Sequence, residues 1–205
     1  MIKLYGGRLT RAFIVEWYLE ELAVPYEFIE LDMQKGTHLQ PDFLAINPMG
    51  KLPAIVDENF KLWESGAILL YLTEKYNQLP ASLEERVIIN QWLFFANATL
   101  IPGIFVPTNL EREYPRLFKP LNDILQNQPF LLGEQFSVVD VAVGSVLAYI
   151  PILLKLDLSF YPEEIINSIK HLSRIDFNSY GGVMNYIKRL EERPAFKKTI
   201  GARVY

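Results

Sequence analysis

Residues 38–72 read HLQPDFLAINPMGKLPAIVDENFKLWESGAILLYL. Within them, "AIVD" (54–57) and "FKLW" (60–63) are short strand patterns on either side of the two-residue turn Glu58-Asn59, which makes a hairpin. Just before the hairpin stands "NPMGKLPAI", residues 47–55, with Pro53 at the mouth of the first strand. A proline gives a sheet no N–H, so a central strand normally excludes it, and its place here needs a reason. Just after the hairpin, "SGAILLYLTEKY" carries Ile68, Leu69, Leu72 and Tyr76 on one face of a helix. "PDFLAI" predicts a short connecting helix.

Upstream, "IKLYG" (2–6) reads as a strand. "TRAFIVEWYLEELAV" (10–24) has apolar residues at 13, 14, 17, 18 and 22 with Glu16, Glu20 and Glu21 opposite, which is helical spacing. Thr10 is placed to cap that helix through its hydroxyl. "YEFIEL" (26–31) is a second strand, and strand, helix, strand at this length predicts a parallel pair. Residues 1–77 therefore read β-α-β, a connecting region, then β-β-α.

Downstream the character changes, and "YNQLPASLEE" (76–85) is the linker. "LEERVIINQWLFFANATLI" (83–101) predicts a helix that stops near Pro102-Gly103, and "YPRLFKPLNDILQNQ" (114–128) one interrupted at Pro120. "FSVVDVAVGSVLAYIPILL" (136–154) is a third, opened by a Ser137-x-x-Asp140 capping box. "PEEIINSIKHL" and "GGVMNYIKRLEER" complete an all-helical set over 84–205, with no strand pattern of similar strength.

The bulk composition narrows the function. A chain of 205 residues, 50 % hydrophobic and 21 % charged, can bury the cores of one large or two small domains. A net charge of -4 without a basic block argues against nucleic acid as the main partner. With no cysteine there is no disulfide, no thiolate metal site and no protein-thiol chemistry. His38 and His171 have no metal spacing, so no metal is expected. "MIKLYGG" lacks a signal-peptide run, and the uncharged apolar stretch 141–154 is too short to span a bilayer and contains Pro151. A cytoplasmic protein without membrane contact is the expectation.

Taken together, residues 38–72, "GEQFSVVDVAVG" (133–144) and "RLEERPAFKKT" (189–199) resemble the cytosolic glutathione S-transferase superfamily, in order and over nearly the whole chain. "KLYGG…RAFIVEWYLEEL" looks most like its theta-like and bacterial classes and the cyanobacterial chi class. The resemblance implies a thioredoxin-like α/β N-terminal domain that binds glutathione, over 1–77. It also implies an all-α C-terminal domain, over 84–205, that contributes the electrophile site. No prosthetic group is implied, because glutathione, as cosubstrate, carries the thiol. The implied activity conjugates the glutathione thiolate to small apolar electrophiles such as aryl halides, isothiocyanates, activated alkenes or haloacids, in the manner of detoxification. A homodimer is implied as well.

The same resemblance assigns residues. Glu64 and Ser65, at a helix N-terminus that favours anions, would hold the γ-glutamyl end, Glu64 pairing with the ammonium and Ser65 with the carboxylate. Without the resemblance, Ser65 is merely a helix cap and Glu64 a surface acid. Pro53 is expected to be cis, which turns the Leu52 N–H and C=O toward the cysteinyl backbone like an added strand. Lys51 and His38 would hold the glycyl carboxylate; otherwise they are a solvated lysine and a turn residue.

A free cysteine thiol has a pKa of about 8.5, so a donor or cation must stabilise the thiolate at neutral pH. Family members place Tyr, Ser or Cys after the first strand for this. Here "YGGRLTRA" has neither Ser nor Cys, and Thr10 stands where a theta-like serine would fall. Its hydroxyl can donate the same bond. Arg11, always charged, is an equal candidate, and Tyr5 the third. Their ordinary roles would be helix cap, surface ion pair and packed strand aromatic. A chain without cysteine has no thiol for disulfide exchange of its own, which argues against glutaredoxin-like members. The alternative function is a non-catalytic glutathione-binding, ligand-binding or protein-interaction module of the same fold.

Overall fold

In the first strand, β1 (Ile2–Gly6), Ile2 and Leu4 are buried while Lys3 is exposed and Tyr5 half-buried, the alternation of a sheet covered unequally on its two faces. The computed structural model describes residues 1–204. It divides into two units, Met1–Arg86 and Val87–Tyr205.

In the first unit, β1, β2 (Tyr26–Glu30), β3 (Ala54–Asp57) and β4 (Phe60–Trp63) form one sheet in the order β2-β1-β3-β4. The pair β1/β2 is parallel, and β3 runs antiparallel to both β1 and β4. The parallel pair is joined by α1 (Ala12–Glu21), and the hairpin leads into α3 (Ser65–Lys75). Leu4 pairs with Ile55, and Ile55 with Leu62. This is the face that α1 and α3 cover, and Leu4 and Ile55 are fully buried on it. The two helices are tied by a buried hydrogen bond of 3.0 Å between the Tyr18 and Thr73 hydroxyls. On the other face Tyr5, Ala54 and Trp63 lie side by side, and α2 (Pro41–Leu44) packs Phe43 against Ala54 and Leu52 there. Behind α3, Asp57 is only 6 % exposed, accepts a 2.7 Å hydrogen bond from Tyr71 and pairs with Lys75.

The second unit is helical, and among its described residues the only strand-like pairing is one bridge between Phe130 and Gly133. Its centre is α7 (Val138–Leu153), in which every residue from Val138 to Ile150 is buried. The expected capping box opens it: Ser137 Oγ accepts the Val139 N–H at 3.2 Å, and Asp140 accepts the Ser137 N–H at 2.9 Å. Asp140 also accepts the Leu131 N–H at 2.9 Å and the hydroxyl of fully buried Tyr186 at 3.0 Å, so one carboxylate joins three segments.

Two expected helix boundaries differ. The helix α4 (Leu83–Phe94) does not stop at Pro102-Gly103. It loosens into π turns over Phe95–Leu100, a wider winding that can absorb the missing proline N–H, and continues as α5 (Ile101–Phe105). It stops at Val106, whose extended backbone is what a following proline, Pro107, imposes. Helix α6 (Pro107–Asn127) is not interrupted at Pro120 and runs through Pro115 as well. Both prolines face solvent, while Leu110, Leu117, Phe118, Leu121 and Leu125 hold the opposite face in the core. The Ile104 carbonyl, near the end of α5, accepts a 2.9 Å hydrogen bond from buried His171, just past α8 (Glu163–Lys170). The chain closes with α9 (Gly181–Glu191) and α10 (Pro194–Lys198). The run Leu83–Phe105, 23 residues, is long and apolar enough by length and composition to cross a membrane, which the shorter stretch 141–154 is not.

Candidate functional site

Register decides which segments meet at the end of the sheet where β1 finishes. Tyr5 lies opposite Ala54, and Ala54 opposite Trp63. One residue further along each chain stand Gly6, Pro53 and Glu64. The segments 7–11, 51–53 and 64–65 therefore leave the sheet side by side. Every residue the sequence singled out for ligand contact stands on one of them, apart from Tyr5, inside β1, and His38.

The first segment is held close by Gly7. A Cβ there would lie 2.6 Å from the Leu31 carbonyl oxygen and 3.4 Å from Leu52 Cδ1, so only glycine lets this loop lie against Leu52. Leu9 follows in the left-handed region with φ 56°, a conformation a branched side chain adopts at a cost. Thr10 Oγ1 accepts the N–H groups of Gly7 at 3.2 Å and Ala12 at 3.4 Å, and donates its proton to the Gly7 carbonyl at 2.8 Å. The hydroxyl thus caps the first N–H of α1 from one residue before the cap position, which Arg11 occupies. Arg11 is half-buried and Arg8 exposed. Tyr5 packs its ring 5.7 Å from that of Phe43, in the role of a core aromatic.

The second segment holds the Leu52–Pro53 bond, which is cis. Leu52 points its side chain into the core beside Phe43 and Ala54 and is 8 % exposed. Among the described residues no hydrogen bond engages its N–H or its carbonyl. Lys51 is exposed, with no ion pair among the described residues. His38 lies in the 3-10 turn Thr37–Leu39, and its Nδ1 is buried with no partner there. The turn and the loop are in contact through Gly50, at φ 60°, where a Cβ would stand 3.3 Å from the His38 carbonyl oxygen.

The third segment is the start of α3. Ser65 is its first residue and is 2 % exposed. Glu64 precedes it at φ 71°, ψ 119°, a strained backbone for a residue with a Cβ. Its exposed carboxylate makes no hydrogen bond or ion pair among the described residues.

The site thus presents an exposed carboxylate and a helix N-terminus on one side. The unpaired Leu52 peptide lies in the middle, with Lys51 next to it in the chain and the His38 turn in contact with the loop through Gly50. Thr10 and Arg11 stand on the first segment, where it enters α1. Such a row suits a short extended peptide with charged ends. Among the described residues no cluster of His, Cys, Asp and Glu could hold a metal ion. Asn47 was not singled out in the sequence, and it organises the middle segment. It is 1 % exposed; its Nδ2 donates to the Lys51 carbonyl at 2.7 Å and its Oδ1 accepts the Met49 N–H at 3.0 Å. The Asn-Pro pair that marks a turn was the only signal for it.

The family profile described as "Glutathione S-transferase, N-terminal domain" matches residues 1–74. The disulfide-bond oxidoreductase YfcG of Escherichia coli K12 is 34 % identical over 218 aligned residues, covering 95 % of this chain and 92 % of the relative. Among solved structures, a glutathione transferase family member from Pseudomonas fluorescens Pf-5 with two glutathione bound is 26 % identical. It has a TM-score of 0.76, with 99 % of this chain and 92 % of that one covered. A delta-class glutathione transferase of Nilaparvata lugens, 20 % identical with a TM-score of 0.81 over 100 % of this chain and 95 % of that one, shares the fold.

Proposed function

From a chain that belongs to the cytosolic glutathione S-transferase superfamily, we infer an enzyme that binds glutathione on the first unit, stabilises its thiolate and transfers it to a small electrophile. The observation that carries this reading is the meeting of segments 7–11, 51–53 and 64–65 at one end of the sheet.

In this reading Glu64 takes the γ-glutamyl ammonium, and Ser65 with the first turn of α3 takes its carboxylate. The Leu52 N–H and carbonyl pair with the cysteinyl residue as an added strand. Lys51 and His38 receive the glycyl carboxylate. The thiol then lies toward Thr10 and Arg11, where a hydrogen bond or a fixed charge favours the thiolate. Domain 1–77 binds the cosubstrate and domain 84–205 contributes the electrophile site, in a cytoplasmic, detoxifying enzyme of theta-like type. We also propose a homodimer. On α4, Leu83, Val87, Ile88 and Phe94 are 70 %, 54 %, 43 % and 72 % exposed, apolar area that a second copy would cover. Sedimentation at the mass of a single 23.7 kDa chain would refute it.

The name of the YfcG relative favours a second reading, glutathione-dependent disulfide reduction. The absence of protein cysteine does not stand against it, because two glutathione molecules supply both thiols. One thiolate attacks the substrate disulfide, forming a mixed disulfide and releasing the first thiolate. The second glutathione attacks the mixed disulfide, giving glutathione disulfide and the second thiolate, and the two glutathione protons end on the two products.

Calorimetry with glutathione, followed by turnover assays on an aryl halide, an isothiocyanate and a small disulfide, separates the readings. Glutathione consumed into a thioether with the aryl halide, or a dithiocarbamate with the isothiocyanate, supports transfer, and glutathione disulfide formed one-for-one with substrate supports reduction. Binding without turnover leaves a binding module. No binding overturns the assignment of the site.

A further inference from the structure

The Leu52 N–H can serve a peptide ligand only if something inside the protein fixes the direction in which it points. We propose that Asn47 is a positioning residue: by holding the Lys51 carbonyl inward, its side-chain amide aims the Leu52 N–H outward at the ligand's cysteinyl backbone. This rests on the glutathione reading of the site.

Across a trans peptide the C=O and the N–H point in opposite directions. The Lys51–Leu52 bond is trans, since Leu52–Pro53 is the cis bond of the described residues. Asn47 Nδ2 donates to the Lys51 carbonyl at 2.7 Å, which turns that oxygen toward the protein. The other end of the same peptide, the Leu52 N–H, is then directed away from Asn47, where no described residue accepts it. Asn47 itself cannot drift. Its Oδ1 accepts the Met49 N–H at 3.0 Å, its backbone N–H donates to Phe43 at 2.9 Å, and its carbonyl accepts the Gly50 N–H at 3.0 Å. A buried amide with both its donor and its acceptor used holds one orientation. Aspartate fills the same volume and keeps the acceptor for Met49, but offers the Lys51 carbonyl an oxygen in place of a donor. The peptide is then free to turn.

The test is amide hydrogen exchange at Leu52 with calorimetry. In the free wild type the Leu52 amide should exchange at least tenfold faster than those of Ile55 and Val56 in β3, and glutathione should slow it at least tenfold. In Asn47→Asp, glutathione should bind at least tenfold more weakly and leave Leu52 exchange unchanged. Wild-type-like affinity and protection in the variant would overturn the proposal. So would a Leu52 amide already as protected as Ile55 in the free wild type, a measurement that stands even if the variant does not fold. If wild type binds no glutathione, the proposed function fails by itself, and the free-state exchange still tests the direction of the N–H.

Discussion

Thr10 keeps its proton on the Gly7 carbonyl at 2.8 Å, so a bound thiolate must draw that proton away from a neutral oxygen. A charged acceptor wins such a contest, because hydrogen bonds to ions are roughly twice as strong as those to neutral groups. The two N–H groups that Oγ1 accepts polarise it further in the donor sense. Removing the hydroxyl should therefore forfeit about 1.5–3 kcal/mol of thiolate stabilisation, or about 1–2 pKa units. Ultraviolet titration of the bound thiol should show this rise in Thr10→Val and not in Thr10→Ser. If Thr10→Val leaves the titration unmoved and Arg11→Ala raises it, the guanidinium is the stabilising group. At this scale the chemical types were readable in the sequence, but their holders were not. Glu64, Ser65 and Lys51 stand out in a motif, whereas Gly7 and Asn47 act through contacts with Leu31, Leu52 and Lys51 that only the folded chain brings together.

Two helices of the first unit, α1 and α3, end by the same device. Ala23 sits at φ 51° just past α1, with the Val24 N–H returning to the Leu19 carbonyl at 3.0 Å, and Asn77 sits at φ 55° past α3, with the Gln78 N–H on the Thr73 carbonyl at 2.8 Å. This left-handed cap favours glycine and tolerates asparagine, but a Cβ-bearing alanine is strained. Ala23→Gly should raise stability by about 0.5–1 kcal/mol in urea unfolding. A loss instead would mean that the entropy gained by the unfolded chain outweighs the strain relieved. The hairpin 54–63 was legible to the residue, since a period of two and a two-residue turn leave one register. The capping box was legible for the same local reason. Helix continuity through Pro102, Pro115 and Pro120 was not, because it depends on which face of each helix the core holds.

For the molecule as a whole, Asp57 is one of the carboxylates on which acid stability depends. Burial alone would raise its pKa, but the Lys75 ammonium and the Tyr71 hydroxyl outweigh burial and hold it below the usual carboxylate range. Lys75 is shifted up, chiefly by its hydrogen bond to Asp57. Between the lowered native pKa and the unfolded value of about 3.9 the unfolded chain binds the extra proton, so stability rises with pH there and is complete above it. The lysine contribution is complete below its unfolded value of about 10.4 and is lost as pH rises through the raised one. Asp57→Asn should flatten the acid limb of a plot of urea midpoint against pH; an unchanged limb would assign acid sensitivity to other carboxylates. The two-part organisation was visible in the sequence as the loss of strand pattern after residue 80, because β1 buries alternate residues whereas a helix such as α6 buries every third or fourth.

The residue that aims the Leu52 N–H is followed in the chain by Pro48. Asparagines age into aspartates chiefly when the next backbone nitrogen attacks the side-chain amide and closes a ring. Proline has no N–H to give to that reaction. Exposed asparagines followed by ordinary residues, such as Asn77 before Gln78 and Asn178 before Ser179, remain open to it. As the protein grows old, new negative charge should gather at those surface positions, and the amide at Asn47 should outlast them.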